Sequence, residues 1–294
     1  MNPPMARGEA KPDGSGNGAP GEHLLALRGF SKSFGPVRAL HEVDFEVDAG
    51  EIVALVGDNG AGKSTLIKAI DGVEPPDRGD AYFDGKKVTI STPQIAERLG
   101  IATVFQDLAL CDNLDVVANL FLGKELAESG VPVHVIDEVE MEQRSKELLS
   151  DLSVTTLGSV RTEVGSLSGG QRQSVAIART LIGEPKVVLF DEPTAALGVQ
   201  QTAQVLGLVK RLKDEGLGIV MISHNLEDVF QVADRIIVLR LGERVATFDR
   251  EKTTPEQVVG AITGADTAEM RRIEEETEQK LGDEAGQPRE ETDG

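Results

Sequence analysis

A single cysteine, Cys111, stands in a chain of 294 residues. It cannot close an internal disulfide, which fits a reducing compartment, and no Cys/His set has the spacing of a zinc site. Basic charge is scarce as well: 30 Lys and Arg against 50 Asp and Glu leave a net charge of −20. Such a balance argues against DNA or RNA as the main partner, because phosphate contacts need clustered Lys and Arg. It also argues against direct docking on anionic lipid. Long apolar runs are missing too. None approaches the ~18–20 residues that span a bilayer, and no signal-peptide pattern starts the chain. The expectation is a soluble, cytoplasmic protein, long enough for one large α/β domain or two small ones.

What is present centres on glycine. Gly57-Asp58-Asn59-Gly60-Ala61-Gly62-Lys63-Ser64 fits G-x-x-x-x-G-K-[ST] at every fixed position. The apolar run Glu51–Val56 precedes it and Ser64–Ile70 reads as a helix opening, the strand–loop–helix setting that the pattern needs. Glycines let the backbone wrap close to phosphates, so that N–H groups and a helix N-terminus face the anion. Lys63 is placed to reach the β- and γ-phosphates, Ser64 to ligate Mg²⁺, and Thr65 to add a hydroxyl to the cradle.

Further along, Lys186–Phe190 is a hydrophobic strand that ends in Asp191 and Glu192. Asp191 is placed to hold Mg²⁺ and Glu192 to orient or deprotonate water, a pairing that suits phosphoryl transfer. His224 ends the apolar strand Gly218–Ser223 and Gln106 ends the strand Ile101–Phe105. Ligands of open α/β sheets bind at the strands' carboxyl ends, so His224 is read as a γ-phosphate contact. Gln106 is read either as a Mg²⁺ ligand or as a γ-phosphate sensor. Phe34, in Ser31–Gly35 ahead of the nucleotide strand, is read as stacking on adenine. Between these motifs lies Leu167-Ser168-Gly169-Gly170-Gln171. Ser168 is placed like an N-cap, so this pentapeptide opens a helix whose dipole points at phosphate. It would cap a γ-phosphate only when a second subunit presents it.

Along the chain, residues 1–22 hold many Gly and Pro and almost no large apolar side chains, which predicts a disordered leader. Short alternating segments from His23 to Val47, continued by Ala81–Ile90 with a turn at Asp84-Gly85, predict an antiparallel sheet. From about 107 to 180 the pattern turns helical, over Asp115–Leu122, Val139–Leu152 and Gly170–Leu181. Strands at Lys186 and Gly218 around a helix near Val199–Lys213 imply a parallel sheet, and Ile236–Leu239 with Arg244–Phe248 reads as a closing hairpin. After Gly264 acidic residues outnumber basic ones eleven to four, read as a solvated helix grading into disorder or as a partner-binding tail.

These residues, in this order, resemble the ATP-binding subunits of ABC transporters, with coverage from about Leu24 to Thr263. The resemblance implies a P-loop NTPase of the α/β class: a mixed, largely parallel core sheet, an antiparallel β subdomain and an inserted α-helical subdomain, all within 23–264. By it, Gly57–Ser64 is the Walker A motif, Gln106 the Q-loop glutamine and Leu167–Gln171 the signature. Asp191 and Glu192 look like the Walker B aspartate and catalytic glutamate, His224 resembles the switch histidine, and Phe34 occupies the adenine-stacking position. The implied cofactors are ATP and Mg²⁺. The implied partners are a second ATP-binding subunit, most simply another copy, integral membrane permease subunits, and indirectly a solute-binding protein, which places the chain at the inner face of the cell membrane. The runs Val104–Gly123 and Phe190–Val199 resemble single-domain ATPases of ribose-, xylose- and fructose-type importers. One departure is Gly198, where the family usually has an aspartate that helps link the two sites. Hydrolysis is still expected, since Glu192 and His224 remain. The other readings are an importer ATPase for another solute and a soluble ABC ATPase, for example in iron–sulfur assembly. Leu108, Leu110 and Leu114, just after Gln106, are either core residues or an apolar cleft for a cytoplasmic helix of the permease.

Overall fold

The computed structural model describes residues 23–127, 135–152, 154 and 157–265. The expected leader (1–22) and almost all of the acidic tail (265–294) lie outside these.

Six strands form the central sheet: β3 (Ile52–Val56), β6 (Ile101–Val104), β7 (Val187–Asp191), β8 (Gly218–Ile222), β9 (Arg235–Arg240) and β10 (Glu243–Asp249), in the spatial order β10-β9-β3-β8-β7-β6. All neighbouring pairs are parallel except the β9–β10 hairpin. β3 and β8 are buried at every residue, as expected of strands covered on both faces. Their alternation divides the interior. Val53, Leu55, Leu189, Val220 and Ile222 face one core together with Leu66, Ile67 and Ile70 of α1 (Lys63–Ile70). Ile52, Ala54, Val188, Phe190, Ile219 and Met221 face the other.

The first core is closed by a four-stranded antiparallel sheet. Its strands are β1 (Leu25–Phe34), β2 (Val37–Val47), β4 (Arg78–Phe83) and β5 (Lys86–Val88), ordered β2-β1-β4-β5. The short segments expected between His23 and Val47 are in fact two long strands, with register shifts that interrupt their alternation. A buried carboxylate fastens this sheet to the central one: Glu46, 1% exposed, meets Arg28 at 2.9 Å and both Arg235 and Arg244 at 3.1 Å.

The second core gathers α5 (Gly169–Leu181), α6 (Val199–Asp214), α7 (Leu226–Val232) and α8 (Pro255–Thr263), with α3 (Val116–Phe121) and α4 (Glu138–Asp151) of the helical segment. One further helix, α2 (Pro93–Leu99), precedes β6. Buried Asn119 on α3 fixes the loop that follows Gln106: its Oδ1 accepts from Cys111 N at 2.7 Å and its Nδ2 donates to the carbonyls of Cys111, Leu114 and Asp115. The expected apolar face of α4 includes Val139, which is instead 79% exposed; Met141, Ser145 and Leu149 make the buried side.

Candidate nucleotide site

The loop 57–62 has a backbone that only glycine sustains at two points. Gly57 has φ +151°, and a Cβ there would lie 2.1 Å from the Leu239 carbonyl oxygen; Gly62 has φ +104°, with 2.6 Å to that of Ala39. The loop is thus wedged between the β9–β10 hairpin and β2, and bends into α1 with no side chain in the way. Asp58, Asn59, Gly60 and Ala61 form its arc. Lys63, nearly buried, lies across the loop and donates from Nζ to the carbonyls of Gly57 at 2.6 Å and Asp58 at 3.0 Å. Burial holds its ammonium below the ordinary lysine range, opposed by Glu192, Asp58 and Asp191. Ser64 and Thr65 follow in the first turn of α1.

Asp191 closes β7. Burial, then the neighbouring Glu192, push its carboxyl upward, against Lys63 and Lys68. Glu192 sits at φ +52°, a left-handed backbone that a non-glycine residue takes only at a cost. Its N–H donates to the Ile222 carbonyl at 3.0 Å, which pins the turn to β8. The carboxylate meets His224, with Oε2 and Nδ1 2.9 Å apart. An ionised carboxylate only accepts, which places the shared proton on Nδ1 and leaves Nε2 for another partner. His224 and Gly57–Asn59 line one cavity of about 580 Å³, closed by Val259, Ile262 and Thr263 of α8. Gln106 follows β6, the neighbour of β7, and is exposed. Residues read from four separate stretches of sequence therefore meet at the carboxyl ends of β3, β8, β7 and β6, four adjacent strands.

Two assignments lie apart from this edge. Phe34 belongs to the other sheet, at the β1–β2 turn, where it pairs with Val37. It is 45% exposed and Lys32 Nζ lies 5.6 Å from its ring centre. Ser168–Gln171 open α5 as expected: Ser168 Oγ accepts from Gln171 N, and Gln171 Oε1 accepts from Ser168 N at 2.9 Å. Their close neighbours are the residues after Glu192. A Cβ on Gly170 would lie 2.8 Å from Gln201, and one on Gly169 3.4 Å from Leu197. Gly198, in the place of the usual aspartate, precedes α6 and donates its N–H to Gln201 Oε1 at 2.9 Å.

Three features escaped the sequence reading. Thr194 Oγ1 donates to the buried Asp228 of α7 at 2.6 Å, tying the loop after Glu192 to the helix after His224. A cleft of about 410 Å³ opens between the sheet edge and the helical segment, lined by Phe105, Leu120, Leu122, Asp71, Glu97, Lys124 and Arg179 among others. Leu108, Leu110 and Leu114 do not line it; Leu108 and Leu110 are half-buried against the core. The third is Asp71, buried at its floor. The run 101–122 does carry alternating and helical apolar signals, yet nothing local tells which of its residues face inward.

The donor set fits a magnesium nucleotide. The glycine cradle admits phosphate backbone-close, and a hydroxyl, a carboxylate and an amide oxygen are the hard ligands that Mg²⁺ prefers. Among the described residues no group of three or more His, Cys, Asp or Glu is placed to hold a metal by itself.

Residues 40–195 match the ABC transporter family. The chain is 44% identical to the fructose import ATP-binding protein FrcA of Rhizobium meliloti over 83% of this chain and 95% of that one. It is 45% identical to the xylose/arabinose import ATP-binding protein XylG of Sulfolobus acidocaldarius over 82% and 94%. Among solved structures, a nucleotide-free ATP-binding cassette from an ABC transporter superposes with a TM-score of 0.71 at 29% identity, covering 81% of this chain and 98% of that one. The chain belongs to the ABC transporter family, as one of its ATP-binding subunits.

Proposed function

We propose that this subunit hydrolyses ATP to power an importer of a simple sugar, working as one half of a dimer. The carrying observation is the gathering of Gly57–Ser64, Asp191, Glu192 and His224 at one sheet edge. In this reading Gly57, Asp58, Asn59, Gly60, Ala61, Gly62, Lys63, Ser64 and Thr65 cradle the phosphates and Phe34 stacks on adenine. Ser64, Asp191 and Gln106 hold Mg²⁺, which supplies positive charge to the phosphates. Glu192 takes a proton from the attacking water, and its bond to His224 fixes the carboxylate's direction; His224 reaches the γ-phosphate from the same point. The strained backbone at Glu192 supports such a role, since strain of this kind collects where geometry matters.

Ser168, Gly169, Gly170 and Gln171 act on the nucleotide of the other subunit. Support comes from their packing against 197–201 and from the exposure of Ser168 and Gly169, which leaves the start of α5 open to a second chain. The dimer is read as two copies. Sugar as cargo rests on the similarity to the fructose and the xylose/arabinose import proteins over nearly their whole length. The permease holds the subunit at the inner face of the membrane, and a solute-binding protein joins indirectly. Among the described residues no helix is long and apolar enough to cross a membrane, so attachment falls to a surface. The cleft lined by Phe105, Leu120 and Leu122 suits a short amphipathic helix of the permease, and Gln106 beside Phe105 would carry nucleotide binding to it.

Reconstitution with the permease in proteoliposomes tests this. ATP inside should drive uptake of labelled fructose, xylose or ribose. Uptake of a different solute would reassign the cargo, and ATP hydrolysis without any permease association would return the chain to the soluble class.

A further inference from the structure

Asp71 lies where α1 ends, at the floor of the 410 Å³ cleft. It is 8% exposed. Its Oδ1 accepts from Thr103 Oγ1 at 2.9 Å, and among the described residues it has no other hydrogen-bond donor and no cation. The cations around it are committed elsewhere. Lys124 pairs with Glu97 at 2.5 Å, Lys68 with Glu74 at 3.1 Å, and Arg179 donates to the carbonyls of Ala109 at 2.8 Å and Leu108 at 3.4 Å. The carboxylate also stands at the carbonyl end of a helix, where the dipole repels negative charge and attracts positive.

An unpaired carboxylate in such a place opposes folding. Burial pushes the Asp71 carboxyl up to about 6, which expresses the same penalty. The preceding turns of α1 bury Leu66, Ile67, Ala69 and Ile70, so an apolar residue would suit this position better if packing were its whole purpose. The floor of the cleft therefore combines two negative features, a carboxylate and a helix C-terminus, below a rim of exposed Phe105 and Leu122.

We propose that Asp71 is the recognition point of this cleft, where it takes a Lys or Arg side chain carried by the docking segment of the permease. The inference rests on the reading of the cleft as the permease site. The apolar rim receives the segment's hydrophobic face, and the cation reaches past it to the one open oxygen of Asp71. Two buried charges then exist only as a pair, and a segment lacking the cation is rejected because it would leave Asp71 buried and unpaired.

The test uses the full chain and nanodiscs that contain its permease. Affinity is measured for wild type, Asp71→Asn and Leu122→Asp at pH 7.5 and pH 5. At pH 7.5 Asp71→Asn should bind about thirtyfold more weakly or worse, as for loss of one member of a buried charged pair. Wild-type affinity should drop at pH 5 as Asp71 takes up a proton, with a smaller drop in Asp71→Asn. Glu97 on α2, Lys124 after α3 and Arg179 on α5 also face the cleft and are present in both proteins, so the difference isolates Asp71. If Asp71→Asn binds like wild type while Leu122→Asp does not, the assignment of Asp71 is overturned and the cleft remains the docking site. If both variants bind like wild type, the docking reading falls as well. Should Asp71→Asn fail to fold, the wild type decides: weaker binding at pH 5 supports the proposal, and equal affinity at the two pH values overturns it.

Discussion

Glu192 and His224 share a hydrogen bond of 2.9 Å across the ends of two adjacent strands. The bond joins the group read as the base to the group read as the γ-phosphate contact, 32 residues later in the chain. If Glu192 polarises water, Glu192→Gln should lower ATP turnover by about a hundredfold or more while ATP binding persists, and trapped ATP should favour a stable dimer. Lys63→Ala should lose binding itself. Equal ATPase rates for wild type and Glu192→Gln would remove Glu192 as the base.

Action in trans can be read from mixtures. Ser168→Arg subunits combined with Lys63→Ala subunits leave one composite site with both motifs intact. Partial recovery of ATPase is expected, whereas none, with subunit exchange shown independently, would mean that each chain completes its own site.

Leu122 is 46% exposed at the rim of the cleft. Leu122→Asp should cost the isolated subunit less than about 0.5 kcal/mol, as for most surface substitutions, yet release it from the permease in pull-down. A variant that stays bound and still drives uptake would place the coupling surface elsewhere.

Asp71 sets a pH dependence. Its folded-state carboxyl keeps a proton up to about pH 6, whereas the unfolded chain releases it near pH 4. Between those values the folded state binds the extra proton, so stability falls as pH rises through that window. Asp71→Asn should therefore be more stable than wild type at pH 7, by about 3 kcal/mol at most, and the gain should vanish below about pH 4. Urea unfolding of the isolated chain at both pH values measures this; a variant less stable at pH 7 would contradict it.

Glu46 faces three guanidinium groups. Glu46→Ala leaves the half-buried Arg28 and Arg244 without their partner, while Arg235 keeps Glu51 at 3.0 Å, and should cost about 3 kcal/mol, seen as a lower urea midpoint. A change below about 1 kcal/mol would show that the network is not what holds the two sheets together.

The motif residues could be read from sequence because their chemistry is local. A strand, a glycine arc and a helix start follow one another within 57–65, Asp191 and Glu192 end a strand outright, and Ser168 caps its helix through a residue three positions on. The order of hydrophobic strands and helical stretches likewise gave the α/β class, since burial on two faces leaves continuous apolar runs. By itself the sequence thus determined which groups could handle a nucleotide, and in which kind of fold. It did not determine which side chains meet across distant segments. The Glu192–His224 bond depends on β7 lying beside β8, and the Glu46 cluster on β2 lying near β9 and β10. Val139 reads as apolar face yet points outward, Leu110 reads equally as core or as cleft until packing turns it toward the core, and nothing local marks Asp71 as buried. Burial and through-space pairing arise only when elements pack, and so only the tertiary structure decided them.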